Sequence, residues 1–414
     1  VTSTVGNNAS LITGGTSIAG AAGKDLIVIQ NNSANALTIA STIANNTSAT
    51  GLTKSGAGKL IVTGNNSYTG ITTLNAGTLE IGGWGTLGSG DYAAAIANSA
   101  TLKYNSSAAQ SLSGVISGPG ALVKDGAGTL TLSNSNTYSG TTTVTAGTLL
   151  VNHPTGTGIG GVSVIGGTLG GSGSIAGAAN VQSGGTLAPG NSPGNLTFDS
   201  TVNLQSGSTY SAEIAGATSN DKITASGTLT VNGTIKVTLL GGYSPIGGNV
   251  FDLADATLVG TPIFDFTAAT LGEGRSWDTS SFMTNGTIKV VSTDPFEAWA
   301  TANNSPGDKA GDDDHDGVSN LLEFATAADP QNASSGARVY PVVQTIGGQK
   351  VLIYTVAVRA GATFASNGSK QQADKDGIRY TVEASNDLGN WNSVVVTELA
   401  PADASAAQAE LGVL

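Results

Sequence analysis

The residues best able to do chemistry stand together in one acidic run, Asp312-Asp313-Asp314-His315-Asp316-Gly317-Val318-Ser319-Asn320-Leu321-Leu322-Glu323. Set against the calcium loop, Asp312, Asp314 and Asp316 fall at positions 1, 3 and 5 and Gly317 at the sharp turn; Val318 takes the backbone-carbonyl position, Asn320 position 9 and Glu323 position 12. Calcium takes about six to eight oxygens, and alternate carboxylates converge on one ion once a glycine reverses the chain. Without an ion the same carboxylates repel. The spacing therefore predicts calcium as the cofactor, held by Asp312, Asp314, Asp316, Asn320, Glu323 and the carbonyl of Val318. The alternative is a solvated acidic linker. His315 is expected to point outward.

Other reactive groups are scarce. The chain has no Cys and only two His, His153 and His315, which excludes thiol nucleophiles, disulfides and Cys/His zinc sites. His153 precedes a proline in a turn and reads as structural or solvent-facing. A net charge of -12 with no basic stretch excludes a nucleic-acid partner, because phosphate neutralisation needs clustered cations. No apolar run is long enough to predict a membrane span. The chain starts at Val1 with no initiator Met or signal-peptide pattern, so a processed, secreted chain is expected.

The elements around the acidic run change character near residue 290. Residues 1–290 hold 12 acidic and 9 basic side chains, and residues 291–414 hold 16 and 7. Just before the run, in DPFEAWATAN, Asp294 reads as a helix N-cap, Pro295 as the first helical residue and Glu297 as the capping-box partner. A helix–calcium loop–helix junction is expected over 291–335. From 336 to 414, RVYPVVQ, KVLIYTVAV, IRYTVEAS and WNSVVVTEL predict a small antiparallel β domain of sandwich type. So few strands leave an edge open to strand addition.

Upstream, 60 glycines, 11% charged and 5% aromatic residues do not fit a core built on large anchors. With 11 Pro and no G-X-Y period the chain is not collagen, and 39% hydrophobic residues argue against disorder. An internal repeat decides the class. LTKSGAGKLIVTGNNSYTGITTLNAGTLEIG at 52–82 matches LVKDGAGTLTLSNSNTYSGTTTVTAGTLLVN at 122–152 with an offset of 70 throughout. Gly-x-Leu triplets open at Gly58 and Gly77, then at Gly128, Gly147, Gly167 and Gly185, in steps of 18 to 20. A step of that size is one coil of a β-solenoid, with Leu60, Leu79, Leu130, Leu149, Leu169 and Leu187 facing inward and glycine at the corners. The Asn pairs (Asn65 and Asn66; Asn134 and Asn136) suit turns and coil-to-coil hydrogen bonding. The fold class is all-β: a parallel β-helix over 1–198, a broader capping section over 199–290, then the junction and the tail.

The GAGTLTLSNSNTYSGTTTVTAGTL segment resembles the autotransporter-associated β-strand repeat. GGTLGGSGSIAGAANVQSGGTLAPGNSPGNLTF is similar to the stretch that succeeds that repeat in large secreted bacterial passenger proteins. The resemblance covers roughly 50–200 and implies a right-handed β-helix displayed outside a Gram-negative-type cell, often as an adhesin or surface fibre. No translocator barrel pattern ends the chain, so another export route, or removal of a C-terminal segment, is expected. The acidic loop has Ser319 at its eighth position, where paired loops carry an aliphatic residue. It therefore resembles the isolated loops of dockerin and thrombospondin-type repeats, stiffening a junction.

Within the repeats, Lys54 and Lys124 match, as do Tyr68 and Tyr138. The lysines read as solvated turn residues in preference to a polyanion stripe, and the tyrosines as packed strand-end aromatics in preference to sugar platforms. Acidic residues of the solenoid half are scattered; Asp125 matches Ser55, and Glu80 matches Leu150. A carbohydrate-active enzyme would place an acid and a base on neighbouring coils. The expected function is therefore non-catalytic: a surface-displayed or fibre-forming solenoid that self-associates through its ends or tail edges, with a homo-polymer or homo-oligomer as partner. Surface glycans form a second partner class. Trp391 and Tyr380 are candidates for sugar stacking, with core packing the preferred reading for Trp391.

Overall fold

The computed structural model describes residues 9–305, 308–335, 339–346, 349–383 and 396. The chain divides into two compact units, one of residues 1–244, 250–270 and 278–288, the other of 245–249, 271–277 and 289–414.

The first unit is a parallel β-solenoid. Its strands are short, and alternate side chains turn inward, as in Thr142–Val144 and Thr148–Val151, where Thr142, Val144, Leu149 and Val151 are buried. Three faces recur along the chain. One is a 14-stranded sheet and another a 10-stranded sheet; a third begins as the 5-stranded sheet of Leu26–Ile29, Leu52–Ser55, Thr72–Leu74, Ile96–Asn98 and Ile116–Ser117. The coils stack in register, so Leu37, Leu60, Leu79, Leu102 and Leu122 form one internal ladder. Leu130, Leu149, Leu169, Leu187, Tyr210 and Ile235 form another. All six Gly-x-Leu leucines are fully buried. Past residue 198 the coils continue through Val202–Leu204, Thr209–Gly216, Lys222–Val231, Thr234–Leu239, Ala254–Gly260 and Ile263–Ala268.

The two repeat copies occupy different faces. Leu52 pairs with Thr72, Thr72 with Ile96 and Ile96 with Ile116 on the third face, after which the chain turns onto the 14-stranded sheet at Ala121–Lys124. The offset of 70 is thus three coils plus one face. Leu60 and Leu79 belong to the 14-stranded sheet, and their counterparts Leu130 and Leu149 to the 10-stranded one. The repeat encodes a corner and the strands either side of it, and different corners of a coil make the same demand.

That corner explains why the matched lysines are not solvated turn residues. Lys54 and Lys124 are fully buried. Lys54 Nζ donates to the carbonyls of Ser55, Gly56 and Ala76 at 3.0, 2.7 and 3.0 Å. Lys124 Nζ donates to those of Asp125, Gly126 and Ala146 at 3.1, 2.8 and 2.9 Å. Each ammonium has three N–H groups, and each finds a backbone carbonyl at the corner, that of Ser55 also accepting from Gln30 N. Burial pulls Lys124 down to about 8, which leaves it protonated at neutral pH. Two carbonyls belong to the lysine's own corner and one to the next coil, so the side chain staples neighbouring turns. The glycine opposite is part of the device: a Cβ on Gly147 (φ 65°) would lie 2.3 Å from the Gly126 oxygen and 2.5 Å from Lys124 Nζ.

The second asparagine of each pair works in the same way. Asn66 Oδ1 accepts from Ile43 N, and its Nδ2 donates to the carbonyls of Gly64 and Thr86. Asn136 Oδ1 accepts from Ile116 N at 2.8 Å, while its Nδ2 donates to Asn134 O and Gly156 O. Each amide therefore joins three successive coils through their backbones. Asn136→Ala is expected to cost about 2 kcal/mol by orphaning a buried N–H and two carbonyls, read as a lower denaturant midpoint. Tyr68 and Tyr138 are packed, as expected, and their hydroxyls meet Thr72 and Thr142 Oγ1 at 2.8 and 2.6 Å.

In the second unit Asp294 caps the helix Pro295–Ala302, accepting from Phe296 N at 2.9 Å. Glu297 is not the capping-box partner. Its carboxylate takes the guanidinium of Arg275 and the N–H of Gly247, and Asp294 N donates to Ser292 Oγ. A charge-assisted bond to arginine outcompetes one to a neutral amide. Phe296, Ala300 and Phe324 form a small core against which Trp299, Leu321 and Ile378 pack. The tail contains the antiparallel pair Val339–Ile346 and Gln349–Val356, and a sheet of Ala365–Asn367, Lys370–Lys375 and Ile378–Val382. The two strands between 365 and 375 are polar and carry no alternation signal. Trp391 and all but one residue of the WNSVVVTEL strand lie outside the described residues. Tyr380 is engaged, its hydroxyl donating to Ala325 O and accepting from Arg359 N, which does not suit a sugar platform.

Candidate metal centre

The acidic run forms a tight loop that ends on the helix Asn320–Thr326. Gly317 has φ 90°, which reverses the chain as its position requires, and His315 (φ 63°) points to solvent. The reversal brings ligand oxygens of Asp312, Asp314 and Asp316 within 4.8 Å of one another. Backbone N–H groups hold them there: Asp316 N donates to Asp312 Oδ1 and Asp314 Oδ1, Gly317 N to Asp312 Oδ2 and Val318 N to Asp316 Oδ1.

Glu323, one turn into the helix, is fully buried, and neither of its carboxylate oxygens has a hydrogen-bond partner. Asp314 Oδ2 is likewise buried without a donor. Desolvation, then the charges of Asp314, Asp316, Asp312 and Asp313, push Glu323 up to about 7. A carboxylate buried without a donor beside four aspartates is unfavourable in its ionised form unless a cation balances it. The donor set is all oxygen, which fits a hard divalent ion. Asp312, Asp314 and Asp316 form the group that could hold calcium; Glu323 and the Val318 carbonyl are not part of that group and would complete the ligand set expected from the register, the ion supplying the charge that these groups lack.

Asn320, expected as a further ligand, turns elsewhere. Its Nδ2 donates to Asp308 O and Asp313 Oδ1, its Oδ1 accepts from Asp313 N, and its own N–H donates to Gly311 O at 2.7 Å. Fully buried, it buttresses the start of the loop. An asparagine at the first position of a helix, with acidic residues a turn upstream, offered no sequence signal that separates a ligand from a brace.

The comparisons fit this architecture. The Passenger-associated-transport-repeat family matches residues 52–81 and 122–151, the same two copies whose corners carry the buried lysines. The chain is 38% identical over 162 residues to the adhesin BmaC autotransporter of Brucella suis biovar 1 (strain 1330), covering 37% of this chain and 5% of that protein. It is 37% identical over 124 residues to an extracellular serine protease of Serratia marcescens, covering 30% of this chain and 12% of that one. The chain thus spans a small part of the relatives it matches. The chain is a β-solenoid that carries two segments matching the passenger-associated transport repeat and is similar, over part of its length, to autotransporter passengers.

Proposed function

We propose that this chain is a non-catalytic scaffold of a secreted or surface-displayed bacterial protein, presenting adhesive surface and associating with its own copies. One observation carries the reading: the residues that repeat are spent on the stack itself. Lys54 and Lys124, Tyr68 and Tyr138, and Asn66 and Asn136 are all buried and bonded within or between coils. Acidic groups of the repeat region are spent similarly, Glu80 on Lys59 and Asp125 on Lys103. His153 Nδ1 lies against Thr155. The adhesin relative supports the same view, and the protease relative matches through a minor part of its length.

The self-association part of the proposal is supported by exposed apolar residues on the outermost described strands of the solenoid sheets. Among the described residues, Ser10–Ile12 and Leu26–Ile29 are the outermost strands of their sheets and expose Leu11 (62%) and Ile27 (64%), and Ile263–Ala268 is outermost in the 10-stranded sheet and exposes Ile263 (63%). Such edges accept further strands, and contacts of this head-to-tail kind propagate. Calcium in the acidic loop rigidifies the helix–loop–helix segment. Negative-stain imaging and mass measurement at high concentration, with and without calcium, test the assembly: filaments or oligomers are expected. A strictly monomeric mass in calcium contradicts self-association.

A further inference from the structure

The second unit contains a cleft of about 420 Å³, within the size range of small-molecule sites, bordered by Trp299, Asn303, Asp329, Arg359 and three alanines. Its walls are fixed. Trp299 packs with its ring 5.5 Å from those of Phe296 and Phe324, and the rest of its surface stays part-exposed beside the cleft. Arg359 lies 3.9 Å over the Phe324 ring, donates through Nη1 to Phe324 O and through Nε to Asp376 Oδ2 at 2.7 Å. Asn303 Nδ2 is held by Trp299 O, which aims the amide, and Asp329 Oδ1 accepts from Gln331 N at the rim.

We propose that this cleft binds a neutral saccharide. An indole lining the cleft beside small apolar neighbours suits the C–H surface of a sugar ring, and amide, carboxylate and guanidinium groups around it suit its hydroxyls. An anion is disfavoured because Asp376 offsets the Arg359 charge and Asp329 adds a negative one. A purely apolar ligand would leave the polar rim unpaired. Preorganisation lowers the entropy cost that makes exposed sugar sites weak. The assignment gives a target class to the adhesion proposed above and rests on that reading only for its biological sense.

The test is saturation-transfer NMR and calorimetry of the whole chain with cello-, xylo-, manno- and laminari-oligosaccharides, and with alginate and heparin oligosaccharides as an acidic arm. At least one neutral oligosaccharide is expected to bind, with affinity falling tenfold or more in Trp299→Phe and in Asp329→Ala while the thermal midpoint is retained. Asn303→Ala serves should either variant unfold. No neutral ligand, binding confined to the acidic arm, or binding unchanged in the folded variants overturns the assignment. Adhesion to surfaces by a chain that binds no neutral saccharide would overturn the cleft and leave the adhesive reading in place; saccharide binding without adhesion would do the opposite.

Discussion

Lys124→Met is expected to destabilise the solenoid by about 3 kcal/mol. Methionine keeps the length and packing of the stem, so the loss reports the ammonium. Three carbonyls, of Asp125, Gly126 and Ala146, then face a dry corner with no donor. The desolvation cost of the charge is removed at the same time, which keeps the net effect below the sum of three orphaned acceptors. Lys103→Met is the control. Lys103 pairs with Asp125 on the outer surface at 2.7 Å with both side chains part-exposed, and its loss is expected to cost under about 1 kcal/mol. Denaturant unfolding of the two variants side by side, with equal effects, would contradict the staple.

The second large effect concerns Glu323 and should reverse sign with calcium. Without the ion, Glu323→Gln is expected to stabilise the loop segment, because a buried carboxyl beside four aspartates is replaced by a neutral group. The pH dependence follows from the raised value. Burial and its acidic neighbours push the native-state carboxyl up to about 7, above its ordinary 4.5, so the contribution of Glu323 to the stability of the calcium-free loop is fully present below about 4.5 and is lost as the pH rises through 7. With calcium at about a hundred times its dissociation constant, the original chain gains about 2.7 kcal/mol and the variant little. Proteolysis between residues 304 and 320, timed with calcium and with EDTA, reads both arms. Protection that is indifferent to EDTA, or calcium protection retained in Glu323→Gln, would remove the metal centre.

Much of this architecture is legible in the residues. The Gly-x-Leu steps report the coil because glycine tolerates the corner and leucine fills the interior, both local demands. The loop register is legible for the same reason, since Gly317 and the alternating aspartates fix their own geometry. What the residues conceal is set by partners distant in sequence. Lysine ordinarily sits in solvent, so Lys54 and Lys124 read as surface until the carbonyls of Ala76 and Ala146 are seen to cross from the next coil. Their one sequence signal is a lysine two residues before a corner glycine in both copies. Glu297 stands where a capping box wants it, and Arg275, 22 residues upstream, takes it instead. The rotation of the second repeat by one face is invisible in an alignment of the copies, because an offset of 70 does not say how many corners it contains.

The central claim is that the repeats stack coil on coil with their matched residues inside. The chain has no native cysteine, so pairs can be introduced one at a time. Thr143 and Ser163 are register partners on adjacent strands, both facing outward, whereas Thr73 and Thr143 are equivalent in the two copies but belong to different sheets. Mild oxidation should cross-link Thr143→Cys with Ser163→Cys in nearly every molecule and leave Thr73→Cys with Thr143→Cys reduced. Failure of the first pair to close, or closure of the second within a monomer, would contradict the stack.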